Sequence, residues 1–548
     1  MKKLLLLLFC IHSFLYGINN DGNINTILKN QEKKKIFIQQ QKDKKDVKEN
    51  KIYDIEIIPV QEDKTEENCI EIKEIHIKGS SVFDEDDFED IIKPYLNNCN
   101  GIKNLSNLTK KITNMYIKKG YITSKAYLVP QDLSSGVVTI NTIEGKINKI
   151  TSQRLNISNI YLEDKDDLLN VRNLEMAIYQ AQRLKSQTID FKIIPADKLG
   201  YSDIDIITKE VASTYYGDVT FNNFGSRLTG KTQISTSLNY ENLFDVSDII
   251  TLRFNTTHKL PNKSNSSSGY SLSYSVPLSS MLFEFDYSYS SYHQTIENDF
   301  FENILYHGNS KAASFGLNYK FLHSQNHSTQ INSGFDYDQG NNYQDTTKFD
   351  IQSYKLAVVN LGVKHSYLNE SYDYYSILTI YKGLNALGAQ DNYYDNQSDF
   401  IKYALDVNFT KYFKTQYDIK FNQTLRGQFS EDRLYSAQEI SMGGPYSVRG
   451  FKDSSGLSGN TGFYIRNELN FTKKISNLQL SPYLALDYGY VKKNFNSSDG
   501  YIIGSATGVR TSFNNGLLDI FYTMPQKDTE ATKEDSGNFL GFNLSYQF

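Results

Sequence analysis

The sequence has no tryptophan, only 3 cysteines and only 9 prolines among its 548 residues. Its one long apolar run lies at the extreme N-terminus, and no other segment reaches the roughly 18 apolar residues that a membrane-spanning helix needs. Lys and Arg (58) nearly balance Asp and Glu (63), so the net charge of -5 does not support charge-driven nucleic-acid binding. These shortages exclude a helical membrane protein and a polycationic nucleic-acid-binding protein.

Aromatic residues, by contrast, are abundant, with 41 tyrosines and 32 phenylalanines. Many tyrosines combined with few apolar runs predict a large β-structure with one face in water. The chain is also long enough for several domains of the usual size. We therefore expect a large β-domain together with smaller units.

The N-terminal residues 1–17 are typical of an export signal. Lys2 and Lys3 supply positive charge, residues 4–15 form a short apolar core, and Gly17 is a small residue at a plausible cleavage point. The alternative, a membrane anchor, is disfavoured because the run is too short and lacks a stop-transfer flank. The sequence therefore predicts export.

The cysteines support the same prediction. Cys10 lies inside the apolar core, so cleavage leaves Cys69 and Cys99. Exported chains meet oxidising conditions, which predicts a disulfide between these two residues. Closing a loop of this length is worth roughly 3.5 kcal/mol in the chain-entropy description. The alternative is a pair of free buried thiols.

The segment after the signal is polar, rich in lysine and unable to build a core alone. Within residues 18–45 the spacing of Ile24, Ile27 and Leu28 predicts one amphipathic helix. Residues 46–68 are typical of a linker. Disorder of the whole segment is the alternative.

Two compact α+β units are predicted next, at 69–146 and 147–209. The elements of the first unit are a strand over 70–77, helices over 83–96 and 105–120, and strands over 126–129 and 137–143. The elements of the second unit are a strand over 147–153, helices near Leu168 and over 174–184, and strands over 188–194 and 202–207. The shared β-α-α-β-β order indicates an internal repeat of architecture.

Residues 210–548 alternate in polarity and show no helical pattern. About sixteen segments of roughly ten residues, such as 282–290 and 313–321, are separated by turn residues. A soluble sandwich would also alternate, but the spanning length, the Asn, Ser, Thr, Lys and Asp of the polar face, and the terminal Phe548 favour a membrane barrel. A closed barrel pairs every backbone group in lipid. The predicted fold class is thus two α+β units followed by an all-β transmembrane barrel of about 16 antiparallel strands.

No catalytic or metal-binding constellation is recognised. The 8 histidines are scattered and form no H-E-x-x-H or H-x-H pair, and no Ser–His–Asp arrangement has support. Gly456 and Gly459 lie in a loop with no predicted helix after them, which excludes a phosphate-binding cradle. We therefore predict no enzyme activity, no cofactor and no metal.

The most informative segment is the loop 431–461, which contains Val448, Arg449, Gly450 and Phe451. Loops of this length without secondary structure are usually functional or disordered. Paired glycines and a proline restrict the backbone before the arginine. A guanidinium held in such a turn offers a fixed fork of donors to a carboxylate.

Strand alternation supplies that carboxylate. Within residues 482–489, Leu484 and Leu486 must face lipid, so Asp487 faces the lumen. An inward-folded loop would let Arg449 pair with Asp487, whereas an exposed loop would leave the arginine solvated. In the preceding strand the same rule predicts that three side chains face the lumen, those of Tyr464, Arg466 and Glu468.

Together these features resemble the outer-membrane transporters of two-partner secretion, that is, the haemolysin secretion/activation proteins and the relatives of filamentous-haemagglutinin transporters. The order of export signal, polar helix, two POTRA-like units, barrel and Val-Arg-Gly-aromatic tetrad is similar over essentially the whole mature chain. Each further family-like stretch is weak alone, and their order and spacing make the resemblance specific. These stretches are 120–126, 130–136, 143–145, 173–175, 182–184, 195–202 and 229–230.

The resemblance implies a bacterial outer-membrane translocator with its POTRA domains in the periplasm. The implied partner is a secreted exoprotein of haemolysin or adhesin type, which the POTRA domains recognise and which passes through the barrel to the cell surface. Further implied partners are outer-membrane lipid and, during biogenesis, the barrel assembly machinery; nucleic acid is not one. Residues 18–45 would plug the resting pore, and the loop at Arg449 would hold the barrel in register.

Partner recognition is expected mainly in the unit next to the barrel, because an unfolded partner can add a strand to a sheet edge. The candidates lie on the predicted helix 174–184 and on the predicted edge strand 188–193. They are Leu174, Glu175, Arg183, Thr188 and Phe191. The alternative role of these residues is packing within the unit, which must hold for Leu174.

One departure from the family pattern is Ala485, where the family has an aromatic residue two positions before the barrel aspartate. Among other barrel classes, an outer-membrane assembly and insertion factor is the main alternative, although such factors usually carry more POTRA units. A passive porin needs neither POTRA units nor the loop, and a TonB-dependent receptor would have a plug domain and more strands. A lipase or protease barrel would need a catalytic set.

Overall fold

The computed structural model describes residues 56–61, 63, 66, 68–226, 229–257, 265–296, 303–323, 326–391, 396–415, 418–451, 457–492, 500–529, 532 and 536–548. The predicted export signal (1–17) and the predicted helix (18–45) lie outside the described residues, as does the first part of the predicted linker. No helix within the described ranges is long and apolar enough to cross a membrane.

The first α+β unit packs one long helix against a three-stranded sheet. Its elements are β1 (Ile70–Ile72), β2 (Glu74–Lys78), α1 (Glu89–Ile92), β3 (Asn98–Asn100), α2 (Ile102–Lys118), β4 (Lys125–Leu128) and β5 (Val137–Ile143). In the sheet, β5 lies between β2, which is parallel to it, and β4, which is antiparallel. Leu105, Leu108 and Ile112 of α2 are buried in the core because their spacing places them on one face.

Two predictions for this unit were wrong in detail. The strand predicted over 70–77 is divided at Lys73, whose backbone amide donates to Gly136 O at 2.8 Å. The helix predicted over 83–96 contains only α1, with 3-10 turns at Glu85–Phe88 and Lys93–Tyr95. Acidic residues crowd this segment, and Pro94 lacks the amide hydrogen that a continuing helix needs.

The predicted disulfide between Cys69 and Cys99 is confirmed, with the two Cα atoms 5.2 Å apart. Cys99 lies in β3 and Cys69 directly precedes β1. These strands pair with each other over only three residues. The disulfide therefore fastens an edge of the unit that has few backbone hydrogen bonds.

The second α+β unit has the elements β6 (Lys146–Ser152), α3 (Val171–Ala181), β7 (Gln187–Pro195) and β8 (Tyr201–Glu210). The sheet order is β6-β8-β7, so β7 lies at an edge. The helix predicted near Leu168 is absent from this described segment, where Leu168 forms an isolated bridge to Lys146. The backbone of this segment is paired with the start of the unit instead, because Asp166 N donates to Ile147 O at 2.8 Å and Leu169 N donates to Gly145 O at 2.9 Å.

The remaining strands form the barrel and its inner loop. They are β9 (Tyr215–Asn222), β10 (Gln233–Glu241), β11 (Ile249–Thr257), β12 (Asn265–Leu278), β13 (Met281–Ile296), β14 (Ile304–His323), β15 (His327–Gln344), β16 (Thr347–Lys348), β17 (Tyr354–Leu368), β18 (Tyr372–Leu384), β19 (Ile401–Lys414), β20 (Asp418–Phe429), β21 (Ile440–Met442), β22 (Leu457–Gly459), β23 (Gly462–Ile475), β24 (Leu478–Val491), β25 (Gly500–Phe513), β26 (Gly516–Lys527) and β27 (Phe539–Gln547). With the short β16, β21 and β22 set aside, sixteen antiparallel strands close into a barrel in which β27 pairs with β9. The predicted fold class is confirmed.

The barrel wall is apolar outside and polar inside, as alternation predicted. On β24, Leu484 and Leu486 are 57% and 56% exposed, whereas Tyr483 and Asp487 are 3% and 0% exposed. Leucines that remain exposed on a closed wall suit contact with lipid. Strand alternation alone therefore gave the correct face for each residue of this strand.

Several strands are longer than predicted. The segment expected at 282–290 belongs to β13, which continues to Ile296, and the segment expected at 313–321 belongs to the 20-residue β14. Polar residues interrupt the apolar and polar alternation in the added parts, as at His293 and Gln294 of β13 and at Asn309 and Ser310 of β14. Backbone pairing between the strands continues beyond the region where apolar and polar residues alternate. The alternation therefore identifies only part of each strand.

The two ends of the barrel differ. At the end next to the second α+β unit the strands are joined by short turns. Asn159 Nδ2 donates there to Val246 O of one turn and to Pro277 O at the end of β12, both at 2.8 Å. At the opposite end the connections are longer, and the longest described one is the loop between β20 and β23. That loop leaves the barrel at the far end and folds back into it.

Candidate functional site

The described residues of the loop 431–461 lie inside the barrel, and most of them are buried. Its strands β21 and β22 form a small hairpin, and between them Val448 and Phe451 are 0% and 3% exposed. These side chains belong to an apolar cluster on the inner wall. The other members of that cluster are Ile440, Met442, Leu457, Tyr464, Val491 and Ile502.

The backbone before and after the arginine needs glycine. Gly443 and Gly444 have φ of 111 and 98, and Gly450 has φ of 96, values that other residues rarely adopt. Ser447 Oγ accepts from the amide of Gly443 at 2.9 Å, and Gly444 N donates to Val448 O at 3.0 Å. The turn is thus closed by its own hydrogen bonds and presents the next residue, Arg449, toward the wall.

The structure places the Arg449 guanidinium on the Asp487 carboxylate. Arg449 Nε donates to Asp487 Oδ2 at 2.6 Å and Nη2 donates to Oδ1 at 2.7 Å, while the Arg449 backbone amide also donates to Oδ2 at 3.0 Å. The remaining nitrogen, Nη1, donates to Glu468 Oε2 at 2.7 Å. The loop is therefore joined to β23 and β24 through a two-pronged, charge-assisted contact.

A second arginine extends this network to two further strands. Arg510 on β25 donates from Nη1 to Glu468 Oε1 at 2.5 Å and from Nε to Asp519 Oδ2 of β26 at 3.0 Å. Its guanidinium also lies 4.2 Å from the centre of the Tyr483 ring. Sequence reasoning missed Arg510, although strand alternation could have found it, because the neighbouring apolar Val509 faces lipid.

The other residues predicted to face the lumen are placed as follows. Tyr464 and Glu468 are buried against the inner side, and Arg466 lies directly opposite Asp487 in the β23–β24 ladder. Ala485, the departure from the family pattern, packs with Tyr483 and with Phe521 of β26. Apolar packing beside the arginine network is thus provided without an aromatic residue at 485.

Two wall glycines, which sequence reasoning also missed, allow the loop to lie this close. A Cβ atom at Gly504 of β25 would overlap the carbonyl oxygen of Arg449. A Cβ atom at Gly489 of β24 would overlap Met442 Sδ and lie 2.9 Å from a methyl carbon of Val448. Glycine inside a strand often marks a close backbone approach, which is the signal that could have revealed them.

The predicted recognition residues divide into two groups. Leu174 is fully buried in the core of the second unit, and Glu175 is buried where it accepts from Arg172 Nη1 at 2.8 Å. Thr188 and Phe191 lie on the edge strand β7, where Thr188 is exposed and Phe191 packs partly on the core. The edge strand therefore offers more accessible atoms than the helix.

The remaining predicted residue, Arg183, faces the barrel. Its guanidinium donates to Ser275 Oγ of β12. In the same interface the Glu241 carboxylate accepts from the amides of Lys185 and Ser186 at 2.8 and 2.9 Å. The end of α3 and the residues after it thus attach the second unit to the barrel.

Metal chemistry finds no support in the described ranges, because no group of three or more His, Cys, Asp and Glu side chains there could hold an ion. The site consists instead of a buried ionic contact between a loop and the barrel wall, and of a docked unit with one open sheet edge. Such an arrangement can hold or release a polypeptide.

Comparison with protein families gives a match over most of the chain. The profile described as haemolysin secretion/activation protein ShlB/FhaC/HecB matches residues 200–511. A profile for the POTRA domain of ShlB type matches residues 70–145, and a second POTRA profile matches residues 139–195.

Two curated relatives show the same similarity. The outer membrane transporter CdiB of Dickeya dadantii (strain 3937) is 30% identical over 468 residues, which cover 80% of this chain and 80% of the relative. The hemolysin transporter protein HpmB of Proteus mirabilis is 26% identical over 575 residues and is covered, like this chain, to 100%.

Solved structures share the fold. The structure of CdiB from Escherichia coli matches with a TM-score of 0.85 at 24% identity, over 96% of this chain and 98% of that chain. CdiB from Acinetobacter baumannii matches with a TM-score of 0.80 at 23% identity, over 95% and 99%.

Proposed function

This chain belongs to the haemolysin secretion/activation family, and from that membership we propose how its residues serve export. The protein is an outer-membrane transporter of two-partner secretion, with a β-barrel in the membrane and POTRA domains in the periplasm. It exports a partner protein through the barrel to the cell surface. The assembly-factor alternative is not favoured, because the curated relatives are named as transporters.

The cargo is proposed to be an exoprotein of haemolysin or adhesin type. One relative is named as a hemolysin transporter, which supports the haemolysin class. Outer-membrane lipid and the barrel assembly machinery are proposed as the partners of the barrel wall and of its biogenesis. That residues 18–45 plug the resting pore stays a prediction, because they lie outside the described residues.

The loop 431–461 is proposed to hold the resting barrel in register. The observation that carries this role is the buried contact of Arg449 with Asp487 and Glu468, where the arginine is 4% exposed. Removing one partner of a buried ion pair typically destabilises by about 3–5 kcal/mol, because the other charge is left without compensation. Because the loop occupies the lumen, passage of the cargo would require the loop to move or the barrel to widen around it.

Recognition in the periplasm is proposed to use the edge strand β7 more than helix α3. Thr188 lies on that exposed edge, where an unfolded chain could pair its backbone by strand addition. Leu174, Glu175 and Arg183 are proposed to position the strand, because they are committed to the core or to the barrel. The cargo would then enter the barrel next to the docked unit.

Replacement of Arg449 by alanine tests the loop's role. We expect secretion of the partner exoprotein into the medium to fall strongly while the barrel still inserts, because most of the wall does not depend on the loop. Secretion is measured by immunoblotting of the medium, and barrel folding by heat-modifiable migration in outer-membrane fractions.

The matched control is Arg253→Ala, which removes another arginine of the barrel strands, one that is exposed to water. Normal secretion by Arg449→Ala would contradict the proposed role of the loop. Equal losses in both variants would show that any missing positive charge impairs export, and this too would count against a specific contact.

A further inference from the structure

Helix α2 of the first POTRA domain carries a polar stripe beside its apolar face. Asn104, Asn107, Lys111 and Asn114 follow a spacing of three or four residues and so share one side of the helix. The three asparagines are each more than nine-tenths buried. Asparagine is an unusual residue to bury, and when buried it normally has hydrogen-bond partners.

The partners are backbone groups of a short segment of the same chain. We name residues 56–61 together with Asp63 and Glu66 the N-terminal strap. Asn114 Nδ2 donates to Ile58 O at 2.9 Å, and Asn114 Oδ1 accepts from Ile58 N at 2.9 Å. Asn107 Nδ2 donates to Gln61 O at 3.2 Å. An amide side chain that binds both the N–H and the C=O of one residue makes the same contacts as a neighbouring β-strand.

Two carboxylates fix the C-terminal end of the strap. Asp63 Oδ2 accepts from Lys111 Nζ at 2.9 Å, and Glu66 accepts from the first-turn amides of Lys103 and Asn104 at 3.2 and 2.9 Å. Burial alone would raise the pKa of Asp63, but its hydrogen bonds, led by that from Lys111, lower it below the usual range. The site thus prefers a negatively charged group at each of these positions.

The contact is built for exchange rather than for permanent packing. Ile57 of the strap is 51% exposed, so the strap buries little apolar surface. The stripe beneath it is polar and can be hydrated when the strap leaves. Neutral hydrogen bonds exchanged for water contribute little net free energy each, and a competing acidic segment can replace the charge-assisted bonds of Asp63 and Glu66.

We propose that the polar stripe of α2 is a binding site for extended polypeptide, and that the N-terminal strap is its resident, displaceable ligand. The competing ligand is an extended segment of the transported protein that carries two carboxylates three residues apart, as Asp63 and Glu66 do. Because the stripe binds backbone through Asn107 and Asn114, it accepts varied side chains between these charges. The inference rests on the proposed transport function, since that function brings an unfolded polypeptide chain to the POTRA domains.

The test uses the full chain in detergent, in native form and with residues 56–66 replaced by a Gly/Ser segment of equal length. The probe is a fluorescent synthetic peptide with the sequence of residues 56–67, and binding is followed by fluorescence anisotropy. We expect the replaced chain to bind the peptide at least about tenfold more tightly than the native chain, because the native strap competes from within the molecule. A peptide with Asp63→Asn and Glu66→Gln should lose most of this binding.

Asn114→Ala in the replaced chain should weaken peptide binding about tenfold or more, because two backbone hydrogen bonds are lost. The matched control is Asn173→Ala, an exposed asparagine on helix α3. If Asn114→Ala does not fold, Lys111→Gln provides the second variant and should weaken binding of the acidic peptide but not of its neutral form.

Equal affinity of the native and replaced chains, or no binding to the replaced chain, would overturn the proposal. These readouts do not depend on secretion. A chain that secretes its partner but does not bind the peptide would refute the strap alone, whereas peptide binding without any secretion would refute the proposed function alone.

Discussion

At the scale of single residues, one guanidinium connects the inner loop to the wall. Arg449 uses its side chain for Asp487 and Glu468 and its backbone amide for Asp487 again. Lysine could not reproduce this contact, because an ammonium group lacks the planar fork that meets two carboxylates at fixed angles. The contact is therefore specific to arginine. The close approach of the loop also requires glycine in the wall strands, because a Cβ atom there would overlap the loop.

The Gly504→Ala variant tests the requirement for space. Its new methyl group would overlap the Arg449 carbonyl, so the loop must shift at a cost of about 1–3 kcal/mol or more. We expect weaker secretion with an intact, heat-modifiable barrel. The control is Gly427→Ala on β20, where the nearest heavy atom, Phe463 Cβ, lies 3.8 Å away. Similar secretion by the two variants would argue against close docking of the loop.

At the scale of elements, Glu144 joins the parts of the first POTRA domain. Its carboxylate follows β5 and accepts from the amides of Ser81 and Val82 at 2.7 and 2.9 Å and from Tyr116 Oη of α2 at 3.1 Å. Burial alone would raise the pKa of Glu144, but these hydrogen bonds outweigh it and lower the pKa. A lowered folded-state pKa stabilises the fold above the unfolded-state pKa, and that stability is lost as the pH falls through the folded-state pKa.

Glu144→Gln should therefore weaken the hydrogen bonds that the Ser81 and Val82 amides donate. We expect their hydrogen-exchange protection at pH 7 to fall on the order of tenfold, because a neutral acceptor replaces a charged one. Protection in the native chain should also decrease below about pH 4.3, after correction for the intrinsic exchange rate, and the variant should lack this decrease. Exchange is measured by mass spectrometry on the full chain, with the exposed Glu85→Gln as control. An unchanged pH profile would show that Glu144 is not the group responsible.

At the scale of the whole molecule, the second POTRA domain is docked on the barrel through polar contacts and through Ile249 of β11, which packs on the core of the domain. Glu241, which is 1% exposed, receives two amides from the segment after α3, and Lys320 Nζ lies 3.2 Å from the centre of the Tyr179 ring. These contacts orient the open edge of β7 relative to the barrel entrance. If cargo binds at β7 as proposed, the strength of these contacts governs how steadily the bound segment is presented to the pore.

Glu241→Ala should loosen this docking, because two amides lose their buried acceptor. We expect a broader distance distribution between spin labels at positions 198 and 474, on the second POTRA domain and on the periplasmic end of the barrel. The labels are introduced as unnatural amino acids, since Cys69 and Cys99 form the disulfide. Asp245→Ala, an exposed carboxylate in the same turn, is the control. A distribution identical to that of the native chain would mean that other contacts fix the orientation.

The sequence by itself determined the class of the fold and, in β23 and β24, the face of the residues that were assigned to lipid or to the lumen. In a membrane barrel the apolar side chains of a strand face lipid and the alternate side chains face the lumen. Asp487 and Glu468 were therefore assigned to the lumen from the apolar residues beside them. The disulfide between Cys69 and Cys99 followed in the same way from export and from the number of cysteines. Each of these inferences depends on a pattern that is visible within a single strand or a single pair of residues.

The tertiary structure decided which faces meet. That Arg510 reaches Glu468, that Gly504 lies against the arginine backbone, and that Arg183 is occupied by the barrel all depend on strand register and on the path of a folded loop. Periodicity fixes the side of a strand but not the distance between residues on different strands. Contacts between distant segments are selected by packing of the complete chain. Sequence signals can therefore point to residues such as Arg510 and Gly504, but the three contacts themselves are seen only in the tertiary structure.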